Sequence, residues 1–478
     1  MNKTVRIGLV PTYRFSYTPW CRQMHERCTA AFSALEGAQL VVLPQCAPDA
    51  APDRQTGAVP FGCVHSLDEA ETAARFFQLH EVDGLIVCPL DFGDERSAAK
   101  VAEKCGKPVL LFATTEPPAR DDGSLGRVSD SYCGTLSIAS ALYRRKLKFR
   151  FAGIHAPQDP AMVREAQTFV QALAVVTGLR NARIGQVGVR PGTFETVGYD
   201  EAALIGKFGQ NVLYRELSDI VDRARSLGDD DAETQSIVAQ IAGEVGSVTV
   251  GRDYLVRMAR LERAFSELYA ADSLSALAIQ CWPSMGRLMD LEPCALFGRL
   301  TARGMLTACE ADVVGALSMI VSHRSALEKT LPHFIDWTIR HREDDNRFLA
   351  WHCGNAPACL AADKAQAALR SRRDMKGEKS DGRGALYQFQ IKPGEVTICR
   401  LAEYDNRWKM LIVKGVIEPS DETLAGTWSW VRVADHDRLY RTLVEQGFIH
   451  HASMIHGDQT AALEEACGFM DIETVKVE

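Results

Sequence analysis

The spacing of apolar residues changes character twice along this 478-residue chain. In the first third, short apolar runs alternate with segments whose apolar residues recur at intervals of three and four. "VRIGLV" (5–10), "AQLVVLP" (38–44), "VDGLIVC" (82–88) and "KPVLLFA" (107–113) have the length of buried strands. Helical spacing predicts helices near 20–35, 67–80, 95–105 and 133–147. This alternation signals βαβ units and a parallel sheet. "RFAGIH" (150–155) extends the region, and a helix over 158–177 leaves it.

The middle of the chain repeats the theme. "ARIGQVGV" (182–189) predicts a strand, and "ALIGKFG" and "NVLYREL" predict helix, turn and strand. One long helical stretch is expected over about 231–271, then a buried strand in "ALAIQCW" (276–282) and a helix in "CALFGRLTAR" (294–303). "PHFIDW" (332–337) and "FLAWHC" (348–353) read as two strand ends. Beyond residue 384 the texture changes. "ALYQFQI", "EVTICRLAEY", "RWKMLIVKGVI" and "TWSWVRV" are alternating or β-branched runs with no helices between them, as in an antiparallel meander. A helix near 436–447 and the strand "DIETVKVE" close the chain.

Composition narrows the function. The chain is too long for one core, so two or three domains are expected. The formal net charge of −8 disfavours nucleic acid as the main partner. The basic run "LRSRRDMKGEK" (369–379) also holds acids and glycine, and reads as a solvated loop. No run reaches the ~18 apolar residues of a membrane span. The first apolar run is too short for a signal peptide. The 14 cysteines include no Cys-x-x-Cys pair, so reduced thiols in a cytoplasmic protein are expected. Cys309 and Cys353 read as inert thiols rather than nucleophiles. No phosphate loop or nucleophile elbow is present: "GQVGVRPG" (185–192) fits neither glycine-rich pattern and lacks the lysine.

Three polar residues stand where strands stop. Glu310 lies in "TACEADVVGAL", Asp336 ends "PHFIDW", and His352 ends "FLAWHC" before the turn "GNAP". If those strands are parallel neighbours, the three side chains meet at the carboxyl edge of one sheet, where open α/β sheets bind ligands. A fourth group would come from "GFIHHASMIHGD", as His450, His451 or His456. Plainer readings stand beside these. His352 fits a hydrogen-bonded core histidine, Glu310 a helix N-terminal charge, Asp336 a cap, and His450 and His451 surface turns. A set of carboxylates and imidazoles without thiolate suits Mn²⁺, Co²⁺ or Mg²⁺.

The order "CWPSMGRL…CALFGRLTARGMLTACEADVVGALSM…FIDW…WHCGNAP…HHASMIHGD" resembles the L-fucose isomerase/L-arabinose isomerase superfamily, nearest its L-fucose isomerase-like branch. "PTYRF" and "PGTFETVGYDE" (191–201) carry it further along the chain. The resemblance implies two Rossmann-like α/β domains and a C-terminal β-rich, barrel-like domain. The expected boundaries are 1–178, 179–345 with Glu310 and Asp336, and 346–478 with the last histidine. It also implies a Mn²⁺-dependent aldose–ketose isomerase that moves a proton between C1 and C2 of a sugar. Glu310 and Asp336 then match the pair that holds the metal and shuttles the proton, although relatives sometimes carry Glu at the second position. His451 matches the last ligand, aligned by eye over His450, and His352 a ligand or substrate contact. Arg14, Trp282 and Asn355 are expected near the substrate. For Arg14 a surface role competes, and for Trp282 and Trp351 core packing does. Homotrimers or homohexamers with active sites at subunit interfaces follow from the same resemblance.

Two rivals remain on sequence alone. One is a non-catalytic sugar-binding protein. The other is a metal-dependent epimerase or lyase acting on an acidic or sulfonated sugar. The substrate itself is not legible: L-fucose, L- or D-arabinose, another pentose and sulfoquinovose all fit.

Overall fold

The computed structural model describes residues 4–477 apart from 120, 122, 124, 125, 181 and 372–383. Most of the basic run therefore lies outside the described residues, and its first two, Leu369 and Arg370, belong to a short strand, Ala368–Arg370, rather than a loop. The chain divides into two compact units, Met1–Thr177 with Gly468–Met470, and Gly178–Cys467 with Asp471–Glu478.

The first unit is a five-stranded, all-parallel sheet. Its strands are β1 (Val5–Thr12), β2 (Ala38–Val41), β3 (Gly84–Pro89), β4 (Val109–Ala113) and β5 (Phe149–Ile154), in the order β2-β1-β3-β4-β5. β3 and β4 are buried at every position. Parallel strands covered by helices on both faces need such unbroken apolar runs, which is why no polar alternation showed in their sequence. Ser66 and Glu69 form a reciprocal cap that starts the helix Leu67–Leu79.

The second unit opens with a four-stranded parallel sheet: β6 (Ile184–Val187), β7 (Val212–Arg215), β8 (Ala276–Ile279) and β9 (Thr307–Cys309), ordered β9-β8-β6-β7. The winding repeats that of the first unit. The helical stretch expected over 231–271 is two helices, Ala232–Glu244 and Arg252–Ala271. "VGSVTVG" breaks it: β-branched residues and two glycines favour extended chain, and Ser247–Val248 forms a strand edge instead.

A barrel follows in the same unit. Strands β10 (His333–Arg340), β11 (Arg347–His352), β12 (Gly394–Tyr404), β13 (Arg407–Ile417), β14 (Thr427–Arg432) and β15 (His451–His456) pair antiparallel around a closed ring β14-β11-β10-β15-β12-β13-β14. Closure removes the free edges that so many β-branched runs would otherwise expose. The molecule is thus a mixed α/β fold, two parallel sheets with helices and an antiparallel barrel.

Helix α1 (Val313–Ser325) joins sheet to barrel. All but one of its residues are buried, as expected of a helix that is apolar all round. Two of its serines bond to the barrel: Ser318 Oγ accepts from the Leu401 N–H at 3.0 Å, and Ser322 Oγ lies 2.6 Å from Ser453 Oγ.

Candidate active site

Glu310 follows β9 directly. It and Ala311 have φ of +60° and +55°, a left-handed turn rare for two successive non-glycine residues. Two backbone bonds hold it, Ala311 N–H to Ile279 O at 3.1 Å and Asp312 N–H to Cys309 O at 3.2 Å. The turn places Glu310 at the carboxyl edge of the sheet, 8% exposed. Asp312, not Glu310, caps the helix, accepting from the Gly315 N–H at 2.7 Å. Gly315 is required there, because a Cβ would stand 2.7 Å from both Asp312 Oδ2 and Phe334 Cε2.

Asp336 arrives from a different kind of sheet. It lies inside β10, antiparallel to both neighbours, opposite Trp351 on β11 and His451 on β15. The parallel arrangement expected from the strand ends is therefore corrected. An apolar run buried on both faces reads alike in either kind of sheet, so the run alone did not give the direction. Convergence survives the correction, because the register itself sets Asp336 against His451.

His451 is the hub. Its Nε2 lies 3.0 Å from Glu310 Oε2 and 3.7 Å from Asp336 Oδ1. Its Nδ1 lies 2.8 Å from Asp312 Oδ2, whose carboxylate takes two more bonds from Arg400, at 2.6 and 3.1 Å. Asp312 thereby fixes the ring orientation and leaves Nε2 facing the two other carboxylates, as outer carboxylates do for metal-binding histidines. Glu310 and His450 join His451 in one set of close ligand atoms, and Asp336 and His352 join it in another, each set within 4.8 Å. Glu310 Oε2 and Asp336 Oδ1 are both buried and share one polar neighbour, His451 Nε2. Two buried carboxylates on one imidazole are costly unless a cation completes them. The donor set thus fits an oxygen-preferring divalent ion.

Electrostatics support this. Burial works against the Glu310 charge, but the His451 contact and the Trp282 N–H outweigh it and hold the carboxyl below its usual range. Burial opposes protonation of His451, yet Asp312 and Glu310 raise it. His450 is lowered by burial and by His451 beside it. Burial also opposes the Asp312 charge, and Arg400 and His451 still hold its carboxyl well below the usual range.

His352 is buried. Its Nδ1 accepts from the Cys353 N–H at 2.8 Å, and its Nε2 lies 3.1 Å from Cys309 Sγ. Burial opposes its charge, yet Asp336, Cys353 and Glu310 push the ring up to about 10, so Nε2 carries a proton. Trp282 is 41% exposed and donates its N–H to Glu310 Oε1 at 2.8 Å. It is therefore a carboxylate partner rather than a core residue. Trp351 does pack in the core, with Leu349, Trp428 and Trp430. Asn355 is buried beside His333 rather than against the carboxylates. Gly354 has φ +110°, and a Cβ there would meet Tyr387 O at 2.6 Å, so this glycine serves a neighbouring strand. His456 faces the Lys392 carbonyl at 3.0 Å and stands outside the cluster. Arg14 lies in the first unit, its guanidinium 3.9 Å over the Phe92 ring. The Cys309 thiol, pushed well up by burial, is no ready nucleophile.

Asp312 and Arg400 were not singled out from the sequence. A signal for Asp312 existed: an aspartate directly before a helical run is an N-cap pattern.

Comparison with known proteins places the chain among the sugar aldose–ketose isomerases. Residues 50–180 match the fucose/sulfoquinovose isomerase N-terminal domain, and residues 350–478 match the L-fucose isomerase C-terminal domain. A sulfoquinovose isomerase of Alkalicoccus urumqiensis is 26% identical over 402 residues, covering 83% of this chain and 86% of that protein. One from Priestia aryabhattai is 24% identical over 422 residues, with 87% and 90% covered. One from Clostridium sp. (strain MSTE9) is 27% identical over 382 residues, with 78% and 81% covered. The chain belongs to the L-fucose isomerase-like superfamily.

No helix among the described residues is long and apolar enough to cross a membrane.

Proposed function

We propose that this isomerase depends on a divalent cation held by Glu310, Asp336 and His451, and that the two carboxylates carry the proton between C1 and C2 of an aldose. The observation that carries the reading is the pair of buried carboxylate oxygens, Glu310 Oε2 and Asp336 Oδ1, turned toward one His451 Nε2. Mn²⁺ suits the set best, with Co²⁺ or Mg²⁺ as alternatives. When bound, the ion supplies Lewis acidity toward the negative charge that develops on the sugar oxygens.

The chain's own groups do the rest. One carboxylate takes the proton from C2 of the open-chain sugar as an enediol(ate) forms, and the proton is returned to C1. The second moves the hydroxyl protons. His352, protonated on Nε2, donates to a sugar oxygen. The Trp282 N–H holds Glu310 in place, and its exposed ring offers a face on which the sugar can stack. Asp312 positions His451 and takes no proton.

Sulfoquinovose is the first substrate to test, because curated relatives spanning most of this chain are sulfoquinovose isomerases. The proposal further has the protein cytoplasmic and assembled as a homotrimer or homohexamer, with Arg14 reaching a neighbouring subunit's substrate.

The test is a panel of sulfoquinovose, L-fucose and L- and D-arabinose, assayed with chelator-treated enzyme and with added Mn²⁺, Co²⁺ or Zn²⁺. Ketose should form only with metal, and better with Mn²⁺ or Co²⁺ than with Zn²⁺. Full turnover by metal-free enzyme would sink the mechanism. Light scattering during the assay tests the assembly, and a fully active monomer would refute it.

A further inference from the structure

Behind Glu310 lies a second group of metal-ligating atoms that isomerisation does not use. Cys309 precedes Glu310 at the end of β9. Cys281 follows the neighbouring strand β8, whose Ile279 is in register with Cys309. Both thiols are buried, 5% exposed at Cys281 and 1% at Cys309. The two sulfurs and a Glu310 oxygen lie within 4.8 Å of one another. That spacing lets one ion touch all three. Of Glu310's two oxygens, Oε1 takes the Trp282 N–H at 2.8 Å and Oε2 faces His451 Nε2 at 3.0 Å, so the carboxylate stands between the thiols and the catalytic cluster.

The two sets differ in chemistry. Around His451 stand carboxylates and imidazoles. Around Cys309 stand two thiols and one carboxylate. Hard ions take oxygen, whereas thiolate selects Zn²⁺ and its heavier congener Cd²⁺. Three protein ligands with one open position is a known zinc arrangement. Glu310 belongs to both sets, and because its oxygens already face Trp282 and His451, turning one toward the thiols takes it from the catalytic cluster.

We propose that Cys281, Cys309 and Glu310 form a second cation site for a thiophilic divalent ion, and that filling it draws Glu310 away from the catalytic ion. Each thiol gives its proton to solvent as the ion binds. Cys309 exchanges its contact with His352 Nε2 for the metal. Thiophilic ions are then inhibitors that act beside the catalytic centre. This inhibition rests on the role proposed above for Glu310, whereas the binding itself does not.

The experiment uses chelator-treated full-length protein titrated with Cd²⁺ alone, without substrate. The readout is the ultraviolet charge-transfer band of cadmium thiolate. The expected result is a band that saturates at a single ion per chain, weakens in Cys281→Ser and in Cys309→Ser, and vanishes in the double variant. Its apparent affinity should fall by more than about tenfold in Glu310→Gln, since even outer partners of a metal are worth about 10–100-fold. No band in the wild type, or an undiminished band in the double variant, overturns the proposal. X-ray absorption of cadmium-loaded wild type needs no variant to fold and should show sulfur among the ligands; oxygen and nitrogen alone would overturn it. Absence of metal-dependent turnover would count against the isomerase mechanism and leave the band in place, so the two readings fail separately.

Discussion

The two parallel sheets wind in the same order, yet their carboxyl edges carry different chemistry. Beyond β1, the first unit stacks aromatic rings beside a buried carboxylate: Tyr13 on His65 at 4.6 Å, His65 Nδ1 2.8 Å from Glu69 Oε2, and Tyr17 on Phe61 at 4.3 Å. Burial raises both tyrosine phenols, so they stay uncharged. Beyond β9, the second unit gathers Glu310 and the capping Asp312, and the barrel brings Asp336, His352 and His451 to meet them. Equal topology therefore did not dictate equal function. What separates the edges is the partner. A closed barrel supplies imidazoles and a carboxylate from strands far away in sequence, and it buries the charges they neutralise.

The strongest way to break this contrast is at the carboxylates. Glu310→Gln and Asp336→Asn should each lower kcat by about 10²–10⁴-fold, with circular dichroism unchanged. Tyr17→Phe at the other edge should leave kcat nearly untouched. If neither carboxylate variant loses turnover, the proton-transfer assignment fails.

Asp312→Asn sharpens the contrast one step further out. It keeps the shape of the cap but weakens the hold on His451 Nδ1. Metal affinity should fall by about 10–100-fold, and saturating Mn²⁺ should recover most turnover. A loss of kcat that metal does not restore would mean that Asp312 itself handles a proton. His451→Ala should likewise be partly rescued by excess Mn²⁺. His450→Ala should raise the metal requirement much less. The reverse ranking of the two histidines would shift the ligand by one residue.

The mildest test for turnover concerns stability in the first unit. Burial holds His25 down to about 4, from an ordinary 6.5. Between those values the unfolded chain binds a proton that the folded chain does not. Its contribution is therefore complete above about pH 6.5 and is lost as pH falls toward 4, at most roughly 3 kcal/mol. In urea titrations His25→Asn should flatten the pH slope over that window. An unchanged slope would assign the acid sensitivity elsewhere.

The same contrast explains how much could be read from the sequence. The first parallel sheet and three strands of the second were legible, because covered strands leave unbroken apolar runs and helices leave their own period; the short β9 was not. Glu310, Asp336, His352 and His451 were legible as polar residues at the ends of such runs, helped by the family resemblance. The direction of β10 was not, since its partner β15 begins more than a hundred residues later and the run looks alike in either sheet. The N-cap place of Asp312 was within local reach, but its role beside His451 was hidden for a related reason. Its partners are 88 residues away at Arg400 and 139 away at His451, beyond the reach of any local pattern. Trp282 misled because an aromatic beside an apolar strand normally packs inward, whereas here a carboxylate holds its N–H at the surface.

The most direct test of the central claim is isomerisation in D₂O by chelator-treated enzyme, with and without Mn²⁺, following the sugar by NMR. The account predicts ketose formation with deuterium exchange at C2 of the aldose when Mn²⁺ is present, neither without metal, and neither in Glu310→Gln or Asp336→Asn at any Mn²⁺ concentration. Exchange without ketose would make the protein an epimerase. Ketose formed at full rate by metal-free enzyme would contradict the account outright.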